Sequence, residues 1–170
     1  MPDHAASRRP HTVHATAVLV GRDAILLRGP SGSGKSRIAL ALVADANARG
    51  AFAAMIGDDR VTLTPVGDRL VVRPAPTLAG RVELRGVGIL EADHEPAGVV
   101  ALVVDFVSDP PDRIPASEDR HEMVEGVVLP RLELWRQDPA ALLKVSAALD
   151  ELVRAARGAT QFRAPPDKGT

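Results

Sequence analysis

Gly29-Pro30-Ser31-Gly32-Ser33-Gly34-Lys35-Ser36 follows the apolar run Ala24-Ile25-Leu26-Leu27 and opens into Ser36-Arg37-Ile38-Ala39-Leu40-Ala41-Leu42-Val43. The apolar run suits a buried strand and the second run is made of strong helix formers, so the segment reads strand, glycine loop, helix. A G-x-x-x-x-G-K-S loop in that context is a phosphate cradle. Its glycines let successive backbone N–H groups curl round a polyphosphate, Lys35 brings a point charge to the β/γ-phosphates, and the Ser36 hydroxyl offers a ligand to Mg²⁺. The helix that follows points its positive end at the anion. The segment therefore predicts an α/β, P-loop domain with the nucleotide held by residues 29–36.

Outward from the loop, Thr12 to Val20 reads as a strand that turns at Gly21-Arg22-Asp23 into the strand at Ala24 to Arg28, a hairpin feeding the loop. The helix from Lys35 runs through Ala48 to a C-cap near Gly50, and Ala51 to Ile56 reads as the next strand, with Asp58-Asp59 at its end. Val61–Pro65 and Leu70–Pro74 form a second hairpin, residues 81–90 alternate around two glycines, and Val99–Val107 is an apolar strand broken only by Asp105. Ser108–Asp119 reads as a surface loop and Val127–Leu134 as a strand. Pro139–Ala156 is a helix, with Asp138 as cap and Leu142, Val145, Leu149, Leu152 and Val153 as its apolar stripe. The layout is β-rich, with one phosphate-loop helix and one C-terminal helix, and departs from strict βαβ alternation. The expected organisation is a flexible N-terminus (1–11), one catalytic domain (12–157) and a disordered tail (158–170).

Composition narrows the class. The chain has 170 residues, a formal net charge of −1 and no cysteine, which suits one core and removes disulfides, thiolate metal sites and thiol nucleophiles. Mixed charge gives no field for nucleic acid or an acidic membrane, and three Phe, one Trp and no Tyr give little for base stacking. No run approaches the roughly eighteen apolar residues of a spanning helix. These features predict a cytoplasmic protein with neither nucleic acid nor membrane as partner, and they leave a homo-oligomer open.

The chemistry must come from polar residues that interrupt apolar strands: His14, Asp58, Asp59, Glu83, Arg85 and Arg113. The Asp58-Asp59 pair reads equally as a turn initiator and as two diverging carboxylates, one for a metal and one for a nucleophile. His14 suits either a structural role or the site, and Glu83 either a solvated strand face or the site.

Three segments in order carry a resemblance: Val13-His14-Ala15 before the loop, Asp58-Asp59-Arg60-Val61 after its helix, and Val82-Glu83-Leu84-Arg85-Gly86-Val87-Gly88-Ile89. Together with the loop they resemble the catalytic domain of the HPr kinase/phosphorylase family, over about residues 12–150. The resemblance implies a fold like the nucleotide core of phosphoenolpyruvate carboxykinase. It also implies an ATP- and Mg²⁺-dependent protein-serine kinase acting on an HPr-like phosphocarrier of the phosphotransferase system, with reverse dephosphorylation by inorganic phosphate. In that family's pattern Gly29, Pro30, Ser31, Gly32, Ser33, Gly34, Lys35 and Ser36 bind ATP, Ser36 and Glu83 ligate Mg²⁺ with help from Asp58, Asp59 is the base, and His14 supports it. The family's catalytic arginine matches Arg113, with Arg120 the alternative. The short segment before His14, the polar run Glu91-Ala92-Asp93-His94-Glu95-Pro96, and Trp135-Arg136-Gln137-Asp138-Pro139-Ala140 in place of a basic glycine-containing segment match a truncated form without the N-terminal domain. The competing readings are an ATP-sensing regulatory module that transfers nothing and a small-molecule P-loop kinase.

Overall fold

The computed structural model describes residues 10–76 and 80–161. The expectations for residues 1–9 and 162–170 lie outside the described residues.

The central sheet is mixed. Its strands are β1 (His11–Val13), β2 (Ala15–Val20), β3 (Asp23–Arg28), β4 (Ala53–Gly57), β5 (Val61–Val66), β6 (Arg69–Pro74), β9 (Gly98–Val107), β10 (His121–Val124) and β11 (Val127–Trp135). Across the sheet the order is β1-β5-β6-β9-β3-β2-β4, with β11 pairing β9 and β10 pairing β11. Strand β9 is the spine. It runs parallel to β3 over most of its length and to β11 over Val103–Val107, while β6 pairs antiparallel with its start. The remaining strands, β7 (Arg81–Leu84) and β8 (Gly88–Glu91), form a separate two-stranded hairpin.

Alternation sorts β3 and β9 into two cores. Ile25, Leu27, Leu102, Val104 and Phe106 face helix α1 (Lys35–Ala48) and helix α2 (Ala141–Gln161), while Ala24, Leu26, Val100 and Val103 face the opposite layer of β5, β6, β10 and β11. An extra residue, Ala101, sits in the β3–β9 register between Val100 and Leu102 and allows both to stay buried. Helix α1 buries Ile38, Ala39, Leu42 and Ala46, a stripe at three- and four-residue spacing, and α2 buries Ala141, Val145 and Leu149. Asp138 Oδ1 accepts the Ala140 N–H at 2.8 Å, the predicted cap.

The structure departs from the sequence reading in two places and adds to it in two. The single strand expected over Thr12–Val20 breaks at His14, because β1 pairs with β5 whereas β2 pairs with β3 and β4. Helix α2 continues to Gln161, past Gly158, where the tail was expected to begin. The run 81–90 folds back on itself through Arg85-Gly86-Val87, and β10, legible in no strong apolar pattern, forms by pairing with β11. No helix among the described residues is long and apolar enough to cross a membrane.

Candidate functional site

The loop 29–36 joins the C-terminal end of β3 to α1 and lies against β9. A β-carbon on Gly29 would stand 2.8 Å from Phe106 Cβ and 3.1 Å from the Phe106 carbonyl oxygen, at a φ of +145°, so only glycine lets the chain leave β3 here. Gly34 caps α1 in the left-handed region, φ +102°. Ser33 is buried and its Oγ has no hydrogen-bond partner among the described residues, an orphaned polar atom inside the turn of the loop.

Lys35, at the first turn of α1, is almost fully buried and donates to the carbonyls of Gly29 and Pro30, both at 2.9 Å. Burial pulls its ammonium below the ordinary lysine value, against the opposing pull of Asp59 and Asp58. Its Nζ lies 3.3 Å from His14 Nε2, and His14 Nδ1 lies 3.1 Å from Asp59 Oδ1. The neutral imidazole with its proton on Nδ1 satisfies both contacts at once, donating to Asp59 and accepting from Lys35.

The adjacent carboxylates diverge as expected. Asp58 closes β4 with 5% of its surface exposed; its Oδ1 accepts from Ser36 Oγ and from Thr16 Oγ1, each at 2.7 Å, and its Oδ2 from the Glu83 N–H at 3.3 Å. Asp59 turns outward at φ +64°, a left-handed position that aspartate tolerates better than most residues. The turn reading and the site reading are thus both realised: the tight turn closed by Arg60 N–H on the Asp58 carbonyl sends one carboxylate under the loop and the other toward His14.

The β7–β8 hairpin forms the opposite wall. Val82 anchors it in the core, and Glu83 alternates away from Val82 to the exposed side, as its place in the strand predicts. The resulting cleft, about 490 Å³, is lined by His14, Lys35, Ser36, Asp58, Asp59, Glu83 and Arg85, with Thr16, Arg37 and Arg81 added to the candidates named from sequence. Thr16 could have been found as the one polar side chain in Ala15-Thr16-Ala17-Val18. Arg81 and Arg37 carry no comparable signal, since arginine on an exposed strand or helix is ordinary. Arg113 and Arg120 are exposed, the first in the 108–117 segment and the second in a 3₁₀ turn, and neither lines the cleft.

Magnesium in a phosphate site takes the loop hydroxyl and one or two carboxylates together with substrate oxygens. Ser36 Oγ, already paired with Asp58, and the carboxylates of Asp58 and Glu83 supply that number, so the donor set fits the ion. Among the described residues no three His, Asp or Glu groups form a metal cluster by themselves.

Comparison with known proteins agrees with the geometry. The profile of the HPr Serine kinase C-terminal domain matches residues 6–96, more than half of the chain. The chain is similar to the HPr kinase/phosphorylase of Caldicellulosiruptor bescii, 38% identical over 84 residues, which is 49% of this chain and 25% of that protein. It is similar to that of Mycoplasma mycoides, 33% identical over 78 residues, 46% of this chain and 23% of that protein. To that of Neisseria meningitidis it is 32% identical over 111 residues, 61% of this chain and 32% of that protein. The matched segments thus span about a quarter to a third of these relatives' length. In fold the chain resembles the Hpr(Ser) kinase/phosphatase of Coxiella burnetii, with a TM-score of 0.64 at 21% identity, covering 89% of this chain and 99% of that one.

Proposed function

The chain belongs to the HPr Serine kinase C-terminal domain family, and on that premise we propose that it is an ATP- and Mg²⁺-dependent protein-serine kinase acting on an HPr-like phosphocarrier in the cytoplasm. The reverse reaction, dephosphorylation of the phosphoserine by inorganic phosphate, and a nucleotide core like that of phosphoenolpyruvate carboxykinase belong to the same proposal. The carrying observation is the convergence at one loop of two carboxylates with different environments, Asp58 on Ser36 Oγ and Asp59 on His14.

Each residue then has a task. The loop N–H groups and Lys35 hold the polyphosphate. Mg²⁺, held by Ser36 with Glu83 and Asp58, would neutralise charge on the β- and γ-phosphate oxygens. Asp59 accepts the proton of the substrate serine as the serine Oγ–P bond forms and the bond from the γ-phosphorus to the bridging oxygen of ADP breaks. His14 holds Asp59 from behind and keeps it apart from the Lys35 charge. Phosphoryl transfer asks for alignment and charge stabilisation more than covalent help, which this arrangement supports.

The test is incubation with labelled ATP, Mg²⁺ and the HPr-like protein of the same source. Label on a carrier serine is the expected result; ATP bound with the carrier unlabelled would favour a nucleotide sensor and overturn the kinase reading. Asp59→Asn is expected to keep ATP binding while lowering transfer by at least about a hundredfold. Lys35→Ala is expected to weaken both.

A further inference from the structure

The first turn of α1 carries a charge that its own helix disfavours. A helix N-terminus presents unpaired N–H groups and a positive end, so acidic side chains stabilise it and basic ones do not. Here the first turn holds no acidic residue but carries both Lys35 and Arg37. Lys35 is buried and tied to the loop carbonyls. Arg37 is exposed, and among the described residues it has no ion pair and no side-chain hydrogen bond, unlike Arg28, Arg49 and Arg131, which are all in ion pairs. An arginine on the flank of a helix is ordinary. An unpaired one at the positive end sets residue against element, and such conflicts gather at functional sites.

The Arg37 side chain is folded back onto the phosphate loop. Helical side chains lean toward the N-terminus, and a β-carbon placed on Gly34, the residue that caps α1, would lie 3.7 Å from Arg37 Nη2 and 3.8 Å from its Nε. Arg37 thereby lines the same cleft as Lys35 and Ser36. Lys35 and Arg37 are two residues apart, so their side chains leave the helix about 200° from one another. Lys35 takes the side of His14 and Asp59. Arg37 takes the other side of the helix start, beside Phe106, whose Cε1 is 4.0 Å from the same Gly34 position. A polyphosphate laid over the loop with its terminal group toward Asp59 has its nucleoside end on the Arg37 side.

From this geometry we infer that Arg37 is a nucleotide-binding residue whose ligand is the α-phosphate of a nucleoside di- or triphosphate. The inference rests on the nucleotide reading above and gives Arg37 no part in the transfer itself. A guanidinium carries its donors in a planar fork that suits two oxygens of one phosphate. An anion at this place also resolves the conflict in the first turn, because the helix end and Arg37 then share one negative charge. Arg37 is thus unfavourable to the empty protein and favourable to the loaded one.

Two measurements on the full chain test this. Calorimetry with Mg²⁺ and ADP compares the unchanged protein with R37Q and R37K, and is repeated with each diastereomer of ADPαS, in which sulfur replaces one α-oxygen. R37Q is expected to bind ADP about ten- to thirtyfold more weakly. R37K is expected to recover part of the loss, since an ammonium supplies charge without the fork. In one diastereomer sulfur is expected to weaken binding to the unchanged protein by about threefold or more but to R37Q by no more than about twofold, the disturbed contact being already gone. Thermal unfolding without nucleotide is expected to move the other way, R37E unfolding about 1–4 °C higher than the unchanged protein as the first turn is relieved. A residue that only shaped the loop would lower binding and unfolding temperature together, and that result would overturn the assignment. Binding of ADP to R37Q within about twofold of the unchanged protein, or equal sulfur effects in the two proteins, overturns it as well while the nucleotide reading stands. If the unchanged protein binds no ADP, both fail together.

Discussion

Thr16 shows how one side chain can couple separate parts of the site. It sits fully buried in β2 between Ala15 and Ala17, and its hydroxyl donates to the same Asp58 oxygen that accepts from Ser36. Asp58 is thereby held from the strand side, the loop side and, through Glu83 N–H, the hairpin side. A hydrogen bond to a charged, buried acceptor contributes about 1.5–3 kcal/mol. Thr16→Val, nearly the same shape, removes the donor and leaves the carboxylate under-satisfied, so urea unfolding is expected to show a loss of that size. Thr16→Ser keeps the donor and is expected to recover most of it. Equal stability of Thr16→Val and the unchanged protein would show that Asp58 does not depend on this bond. The residue scale is also where the sequence was most legible: the loop, His14, Asp58, Asp59 and Glu83 all line one cleft, because each interrupts an apolar pattern and such interruptions in buried strands need a partner. Arg81 and Arg37 interrupt nothing, so only the folded chain shows that they face the cleft.

Between strand and helix, the turn 29–36 is decided by close approach as much as by phosphate chemistry. Two glycines separate these effects. Gly29 combines φ +145° with a β-carbon position 2.8 Å from Phe106, whereas Gly67, in the β5–β6 turn at φ +61°, has nothing within 4 Å. Gly67→Ala therefore incurs only the left-handed backbone cost, about 1 kcal/mol. Gly29→Ala adds overpacking against a strand backbone that cannot move without shifting β9, and about 2–4 kcal/mol is expected in total. Equal losses for both in thermal or urea unfolding would remove Phe106 from the account. Elements of strong local pattern, α1, α2, β3 and β9, were readable from sequence for the same reason that they are stable: each carries its own apolar stripe or run. The break at His14 and strand β10 were not readable, because partner exchange between strands and pairing by a nearby strand leave no mark on local periodicity. That unreadable break directs the His14 side chain to Lys35 and Asp59 rather than along a continuous strand.

Across the whole molecule, the strands that carry the site are tied together on the face away from the helices by one ionic network. Arg28, the last residue before Gly29, donates from Nε to Asp105 Oδ1 at 2.7 Å and from Nη2 to Oδ2 at 2.8 Å, and it also pairs with Glu122. Arg131 donates to Asp105 at 2.6 Å and to Glu133 at 2.8 Å. Four strands, β3, β9, β10 and β11, thus meet at Asp105, the one polar residue in the apolar run of β9. Burial pushes the Asp105 carboxyl up, but the hydrogen bonds from Arg28 and Arg131 outweigh it and hold the group below the ordinary carboxylate range. The same partners raise both arginines above their ordinary value, although burial opposes this most strongly at Arg28. A carboxyl with its folded-state pKa depressed contributes stability that is fully present above its unfolded value of about 3.9 and is lost as pH falls through the lower folded value. Asp105→Asn keeps the shape and removes the charge, leaving two partly buried guanidinium groups short of their main acceptor. About 2–3 kcal/mol of stability is expected to be missing at pH 7. Urea unfolding from pH 7 down to pH 2 should then show the gap between the unchanged protein and the variant holding to about pH 4 and closing below it, as Asp105 takes up its proton in the unchanged protein. A gap that stays constant to pH 2 would mean that the second acceptor oxygen, which asparagine lacks, rather than the charge of the carboxylate, holds the strand ends from which the phosphate loop departs.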